Sequence, residues 1–283
     1  MTTITLKLNE SQQNKLYDAF SETKTNPPAY AKWQLRPENC VITCYTSGKT
    51  VFQGKDAEVY ASPFQSEMKK EIIIPQAGSD EVGTGDYFGP VCVAAVILHK
   101  EDLETVVKLG IGDSKQISDE KIRTIAPEIE KKFVHTRLVL MPQKYNQVHD
   151  ANNMNAVKAK LHNQAYLNLK AKEPLPEFCM VDQFAEKGLY YHYLKGEKNV
   201  VRTLRFETKA EDRYPAVGAA SIIARHAFLS ALDQMEAYYG MTFARGSGAP
   251  AKACAEEFVK KFGRERLKEV AKLHFALTKE LDA

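Results

Sequence analysis

Residues 78–90 read Gly78-Ser79-Asp80-Glu81-Val82-Gly83-Thr84-Gly85-Asp86-Tyr87-Phe88-Gly89-Pro90, and an apolar run, Val91 to Leu98, follows at once. Two adjacent carboxylates stand directly before a glycine-broken loop. Asp and Glu are hard oxygen donors suited to Mg²⁺ or Mn²⁺. Gly83 and Gly85 have no Cβ, so their amides can come close to a ligand. The stretch therefore reads as a metal site beside a loop that reads its ligand with backbone groups; a turn with solvated acids is the plain alternative. Consecutive residues on a regular strand point to opposite faces, so Asp80 and Glu81 can meet one metal cluster only if the chain bends here. The two glycines make such a bend easy.

Strands and helices alternate from this stretch onward. Val91 to Leu98 is a continuous buried strand, Ser118 followed by Asp119 and Glu120 is a helix N-cap, and Arg137 to Met141 is a further strand. Asn155 to Leu169 is a helix, and Phe178 to Val181 is a short apolar strand that ends at Asp182. Pro215 starts a long helix whose Gly218-Ala219-Ala220-Ser221 side is small enough to lie tightly on a sheet. This alternation predicts an α/β domain with a mixed sheet flanked by helices. Asp80 and Asp182 each end an apolar strand, where side chains of an α/β sheet commonly converge. Arg245 to Pro250 reads as a flexible connection before a basic final helix, Cys254 to Leu281.

Upstream lies a smaller pattern. Asn9-Glu10-Ser11 opens a helix carrying Leu16 and Phe20, Pro27-Pro28 closes it, and Tyr30 to Arg36 alternates with period 2. That alternation puts Tyr30, Lys32, Gln34 and Arg36 on one face of a strand and Ala31, Trp33 and Leu35 on the other. Ser47-Gly48-Lys49 joins two more strands as a hairpin, and Asp56 to Met68 returns to a helical period. The expected division is a small α+β domain at 1–68, a linker at 69–75 beginning Lys69-Lys70-Glu71, and an α/β domain at 76–283.

The bulk numbers restrict function only loosely. The chain has 283 residues, 44% apolar, and 39 basic against 36 acidic side chains leave a net charge of +3. That balance permits a polyanionic partner without arguing for one. Five scattered cysteines with no CxxC pair fit reduced thiols, and Cys40 and Cys44 read as core residues. No apolar stretch approaches the ~20 residues of a membrane span, and residues 1–15 lack the apolar centre of a signal peptide. The expectation is a cytoplasmic, monomeric protein. His99, His135 and His274 show no ligand spacing.

The segment 78–90 resembles the start of the catalytic domain of the type 2 ribonucleases H, in its ribonuclease HIII form. The resemblance continues through Gly112 to Ser118, Asn152 to Leu169, Val181 to Phe184 and Gly218 to Arg225, in the family's order. It implies a ribonuclease H-like sheet and two-metal hydrolysis of the RNA strand of an RNA–DNA hybrid duplex with Mg²⁺ or Mn²⁺, leaving 3′-hydroxyl and 5′-phosphate ends. It implies four catalytic, metal-holding carboxylates, namely Asp80, which would bridge the ions, Glu81, Asp182 and Glu211. The last is reached by counting back from the GAASIIAR block, with Asp212 as its neighbour and rival. It implies that Gly83, Thr84 and Gly85 contact ribose hydroxyls and that residues 1–68 form a substrate-binding domain similar to the TATA-binding protein, using Tyr30, Lys32, Gln34 and Arg36. Beside the resemblance, Ser114, Lys115 and the basic helix carrying Lys158, Lys160 and His162 read as candidate phosphate contacts, a solvated surface being the plain alternative.

Overall fold

The computed structural model describes residues 2–67, 72–111 and 117–281 and divides into two compact units, Met1–Ile72 and Ile73–Ala283. Residues 69–71 of the expected linker lie outside the described residues.

The first unit runs β1 (Thr2–Lys7), α1 (Glu10–Ala19), β2 (Lys24–Thr25), β3 (Ala31–Leu35), β4 (Cys40–Tyr45), β5 (Lys49–Gly54) and α2 (Ala57–Glu67). The five strands form an antiparallel sheet in the order β1-β5-β4-β3-β2. Asn9 caps α1 by accepting from the Gln12 amide, and Gln12 returns the bond to the Asn9 amide. Leu16 of α1 and Ala57, Ala61 and Phe64 of α2 pack with Leu35, Ile42 and Phe52, so both helices cover one face of the sheet. Cys40 packs in that core, and Cys44 is fully buried.

The expected strand face does not form. Tyr30 stands in a turn before β3 with φ 66° and is 83% exposed. The β3–β4 register shifts between Ala31 and Trp33. A bulge opposes two residues to one and breaks the period-2 alternation, and Lys32 reaches α1, where its Nζ donates to Gln13 Oε1 at 3.0 Å. Gln34 bonds Thr25 and Thr43 on the neighbouring strands, and Arg36 lies exposed beyond the strand end. The face without helices is drawn instead from four strands. Lys7 pairs with Lys49, Thr3 with Gln53, and Thr43 with both Gln34 and Val51.

The second unit contains β6 (Gln76–Val82), β7 (Val91–Leu98), α3 (Leu103–Leu109), α4 (Asp119–Lys132), β8 (Val134–Leu140), α5 (Pro142–His149), α6 (Met154–Lys172), β9 (Phe178–Asp182), α7 (Lys187–Tyr193), β10 (Leu204–Glu207), α8 (Pro215–Tyr239), α9 (Ala249–Phe262), α10 (Leu267–Val270) and α11 (Ala276–Glu280). Its mixed sheet has the order β10-β9-β6-β7-β8, with β9 parallel to β6 and to β10, and β7 antiparallel to β6 and β8. Helices α6 and α7 bury Tyr166, Leu169, Tyr190 and Leu194 against Val93, Ala95 and Val181 on one face. On the other, α4, α8 and α9 pack over Ala94, Val96 and Leu98. The approach of α8 is close because Gly78 lacks a side chain: a Cβ there would stand 2.3 Å from the Val217 nitrogen. Gln76 Oε1 accepts from the Ala216 amide and so satisfies a donor in the helix's first turn.

Helix α8 corrects one expectation. By length and composition it could cross a membrane, but 78% of its apolar window is buried within the unit, as befits a core helix. The C-terminal region differs too, since Gly263 (φ 87°) breaks the single expected helix after α9. Nor is Arg245–Pro250 a loose connection, because it is tied to the loop after β6 in both directions. The Gly246 amide donates to Asp86 Oδ1 at 2.7 Å, and the Tyr87 amide donates to the Gly246 carbonyl at 2.8 Å.

Candidate active site

Register alone places the acids. Asp80 pairs with Ala94 and Glu81 with Val93 along a regular β6–β7 ladder, and the expected bend is absent. Ala94 belongs to the core under α8 and Val93 to the core under α6. Asp80 therefore faces α8 and Glu81 faces α6, as the pleat requires. On β9, Phe178 and Met180 face the α8 side, and Asp182 follows with the same period. Glu211 sits in a helical turn, Ala210–Asp212, just before α8. Three of the four carboxylates thus share one face, and Glu81 lies on the other.

The three are held by specific contacts. Asp80 is 8% exposed, accepts the Glu81 amide at 2.7 Å and receives a hydrogen bond from the Ser221 hydroxyl of α8. Asp182 accepts the Ala210 amide at 2.9 Å and shares a hydrogen bond with Glu211. Glu211 is 4% exposed, whereas Asp212 points out to solvent. Burial first, then the charges of Glu81 and Asp182, holds the Asp80 carboxyl well above the usual carboxylate range. Burial, reinforced by Glu211 and Glu81 against the Ala210 hydrogen bond, pushes Asp182 up to about 6.

Glu81 has a different environment. Lys158 Nζ donates to its Oε1 at 3.0 Å, and His162 Nε2 lies 2.8 Å from its Oε2. The other ring nitrogen of His162 lies 2.7 Å from Ser79 Oγ, and Lys158 sits 4.1 Å over the Phe184 ring. Burial again opposes ionisation most strongly, but His162 and Lys158 together carry the Glu81 pKa below its ordinary value. Lys158 is accordingly no exposed phosphate contact, since α6 packs on the sheet and turns it inward to 8% exposure. His162 is fully buried beside it. The two are one helical turn apart, a spacing legible in the sequence, but only the fold shows what they face.

The loop after β6 divides its glycines between two tasks. Gly83 has φ 93°, and a Cβ there would stand 2.2 Å from the Pro90 carbonyl and 2.8 Å from the Phe228 ring, so packing and backbone conformation demand it rather than ligand approach. At Gly85 a Cβ would meet nothing within 4 Å, and Thr84 beside it is half-buried. The open backbone is at 84–85. Behind it, buried Lys272 donates to the Gly89 carbonyl at 2.6 Å, with its pKa pushed down to about 7 by burial. Neither Lys272 nor Ser221 carried a sequence signal beyond its neighbourhood. Ser114 and Lys115 lie outside the described residues.

Among the described residues, no three His, Cys, Asp or Glu side chains already stand at metal-ligating spacing. The donor set nonetheless suits a hard divalent cation: Asp80, Asp182 and Glu211 offer only oxygens, and a nearby cation would offset the repulsion that raises Asp80 and Asp182.

The family model described as Ribonuclease HII matches residues 77–278, and a domain of unknown function, DUF3378, matches residues 3–72. Ribonuclease HIII of Exiguobacterium sibiricum is 38% identical over 299 residues, covering 100% of this chain and 97% of its own. Ribonuclease HIII of Streptococcus agalactiae is 38% identical over 294 residues, covering 100% and 99%. The crystal structure of Bst-RNase HIII in complex with Mn²⁺ superposes with a TM-score of 0.73 at 33% identity, over 99% of this chain and 98% of that one. With full-length similarity to ribonucleases HIII and the family model spanning the whole second unit's core, the chain belongs to the ribonuclease HII family, in its ribonuclease HIII branch.

Proposed function

We propose that this protein is an endonuclease that hydrolyses the RNA strand of RNA–DNA hybrids, with Asp80, Asp182 and Glu211 holding Mg²⁺ or Mn²⁺. The observation that carries the reading is the gathering of buried Asp80 and Glu211 with half-buried Asp182 on one face near the ends of β6 and β9, an arrangement that binding alone does not need. Divalent ions bound there supply charge to activate water and to neutralise the phosphorane-like transition state. The chain's own groups prepare that chemistry. Ser221 and the Glu81 amide orient the Asp80 carboxylate, and the Ala210 amide orients Asp182. The N-terminus of α8, just beyond Glu211, adds positive potential toward an incoming phosphate.

Recognition of ribose falls to the open backbone at Thr84 and Gly85, where amides and carbonyls can reach 2′-hydroxyls without obstruction. Ser114 and Lys115 are proposed phosphate contacts from their hydroxyl and ammonium donors in the sequence. In the first unit, the helix-free face with Lys7, Lys49, Gln34 and Gln53 presents the cations and amides that suit a nucleic-acid backbone. Deleting that unit is expected to weaken hybrid affinity and flatten its salt dependence more than it slows turnover at saturation. An unchanged affinity would remove the unit from substrate binding. The reading also places the enzyme in the cytoplasm as a monomer, which sedimentation at micromolar concentration checks.

The decisive assay offers a labelled continuous hybrid and, separately, a DNA duplex with one ribonucleotide, each with chelator, Mg²⁺ or Mn²⁺. Metal-dependent cleavage of the continuous hybrid is expected. The lone ribonucleotide should be cut at least ~10-fold more slowly, because each missing 2′-OH leaves a loop group unpaired at roughly 1–3 kcal/mol. Comparable cutting of both would assign junction-type specificity instead.

A further inference from the structure

Glu81 is adjacent in sequence to the proposed metal-holding acids but is gripped from the other side of the sheet. Each of its oxygens has a partner on α6: Lys158 Nζ at 3.0 Å on Oε1 and His162 Nε2 at 2.8 Å on Oε2. The grip continues inward, with Ser79 Oγ 2.7 Å from His162 Nδ1. Ser79 precedes Asp80 in the same strand, and Phe184, two residues beyond Asp182, packs against both His162 (5.3 Å) and Lys158 (4.1 Å). The network therefore touches the chain neighbours of both Asp80 and Asp182, and it meets the Asp80 carboxylate through the Glu81 amide at 2.7 Å.

We infer that Lys158 and His162 are positioning residues for the hydrolysis, which fix the Glu81 carboxylate by two points and so set the negative charge that Asp80 and Asp182 experience, with Ser79 holding the His162 ring. This inference rests on the nuclease reading above and assigns the basic turn of α6 to the reaction step rather than to the hybrid. A carboxylate held by one partner can rotate about its terminal torsion; held at both oxygens it cannot. Ser79, bonded to Nδ1, leaves Nε2–H directed at Glu81. A surface lysine meeting phosphate would act differently, by adding affinity and salt dependence.

The test is a double-mutant cycle in the full-length protein with E81Q, K158M and E81Q/K158M, read by single-turnover cleavage of the continuous hybrid and, separately, by hybrid affinity against salt in chelator. Cleavage by the wild type is the control on the nuclease reading itself. Expected is a ~10- to 100-fold lower rate for K158M with near-normal KM. The double variant should be no slower than E81Q, and K158M should leave affinity and salt slope in chelator unchanged. A further loss in the double variant, or a salt slope shallower by about one charge, would make Lys158 a phosphate contact and overturn the inference. If K158M does not fold, E81Q/K158M removes both charges together and is compared directly with E81Q. A second readout is the ¹⁵N spectrum of His162 in the metal-free protein. A proton on Nε2 that S79A makes tautomerically mixed is expected; a proton fixed on Nδ1 in the neutral ring would leave Nε2 with nothing to donate to Glu81 and would overturn the two-point hold.

Discussion

Asp80 and Glu81 are consecutive in one strand, and the protein treats them as opposites. Both are buried, and burial alone raises the pKa of either acid. Asp80 looks toward α8 and is raised, by burial first and then by the charges of Glu81 and Asp182; Glu81 looks toward Lys158 and His162 on α6, which outweigh its burial, and is lowered. The pleat makes this division, and the facing helices decide its sign. One face gathers charge that a cation must offset, and the other offsets its charge with protein groups. If that is the working difference, Asp80→Asn or Asp182→Asn should lower the cleavage rate by roughly 10³-fold, about 4 kcal/mol of transition-state stabilisation, with hybrid affinity in chelator retained. Glu81→Gln should lose less. An equal or greater loss for Glu81→Gln in single-turnover kinetics would show that Glu81 crosses to the α8 face when metal binds.

The same comparison separates Glu211 from Asp212. The buried acid that hydrogen-bonds Asp182 should cost ~10²-fold when changed to Gln, and the solvent-facing one should stay within about twofold as Asn. The reverse ranking would move the site boundary by one residue.

Much of this site was legible before the fold. Asp80 and Asp182 could be placed because each ends an apolar strand, and apolar runs of that kind are local facts of the sequence. The bend expected at Glu81 was wrong because Gly83 answers to Pro90 and Phe228, residues brought to it only by tertiary packing. Lys158 and His162 were visible as a basic turn, but an amphipathic reading could not say that α6 presents them to a buried glutamate. In the first unit the failure was of another kind. A bulge at Ala31–Trp33 leaves no mark in an alternating pattern, and β1, which the sequence reading did not identify, is a strand because β5 is there to pair with it. The helix-free face is therefore a property of register across four strands and not of the segment 30–36.

Ser221 gives a finer probe of the α8 face. It supplies one hydrogen bond to Asp80, and its loss by Ser221→Ala should cost ~10-fold in rate, in line with the roughly 0.5–1.5 kcal/mol of a single bond. Ser221→Cys should recover little, since a thiol is a weak donor. A rate unchanged by Ser221→Ala would mean that the Asp80 rotamer is fixed by the strand alone.

The smallest effect gives the cleanest contrast, because it can be read in the metal-free protein by thermal unfolding across pH. Asp182 has its folded pKa raised to about 6, above its unfolded value, so the folded state prefers the protonated form. Its favourable contribution is complete below the unfolded pKa and is lost as pH rises through about 6. Asp182→Asn should therefore raise Tm at pH 7–8, and the gain should vanish below about pH 4. Glu81 has its folded pKa lowered, so its contribution is present above the unfolded carboxylate pKa and is lost as pH falls through the folded one. Glu81→Gln should lower Tm at neutral pH, the more so because Lys158 is left buried without its counter-charge, and the penalty should shrink toward acid. Each kcal/mol corresponds to about 2–4 °C for a unit of this size, within reach of calorimetry. The two variants should thus differ from wild type in opposite directions at pH 7.5, with chelator present. Shifts of the same sign would mean that general packing, rather than the charge each face presents, sets the difference between these neighbouring acids.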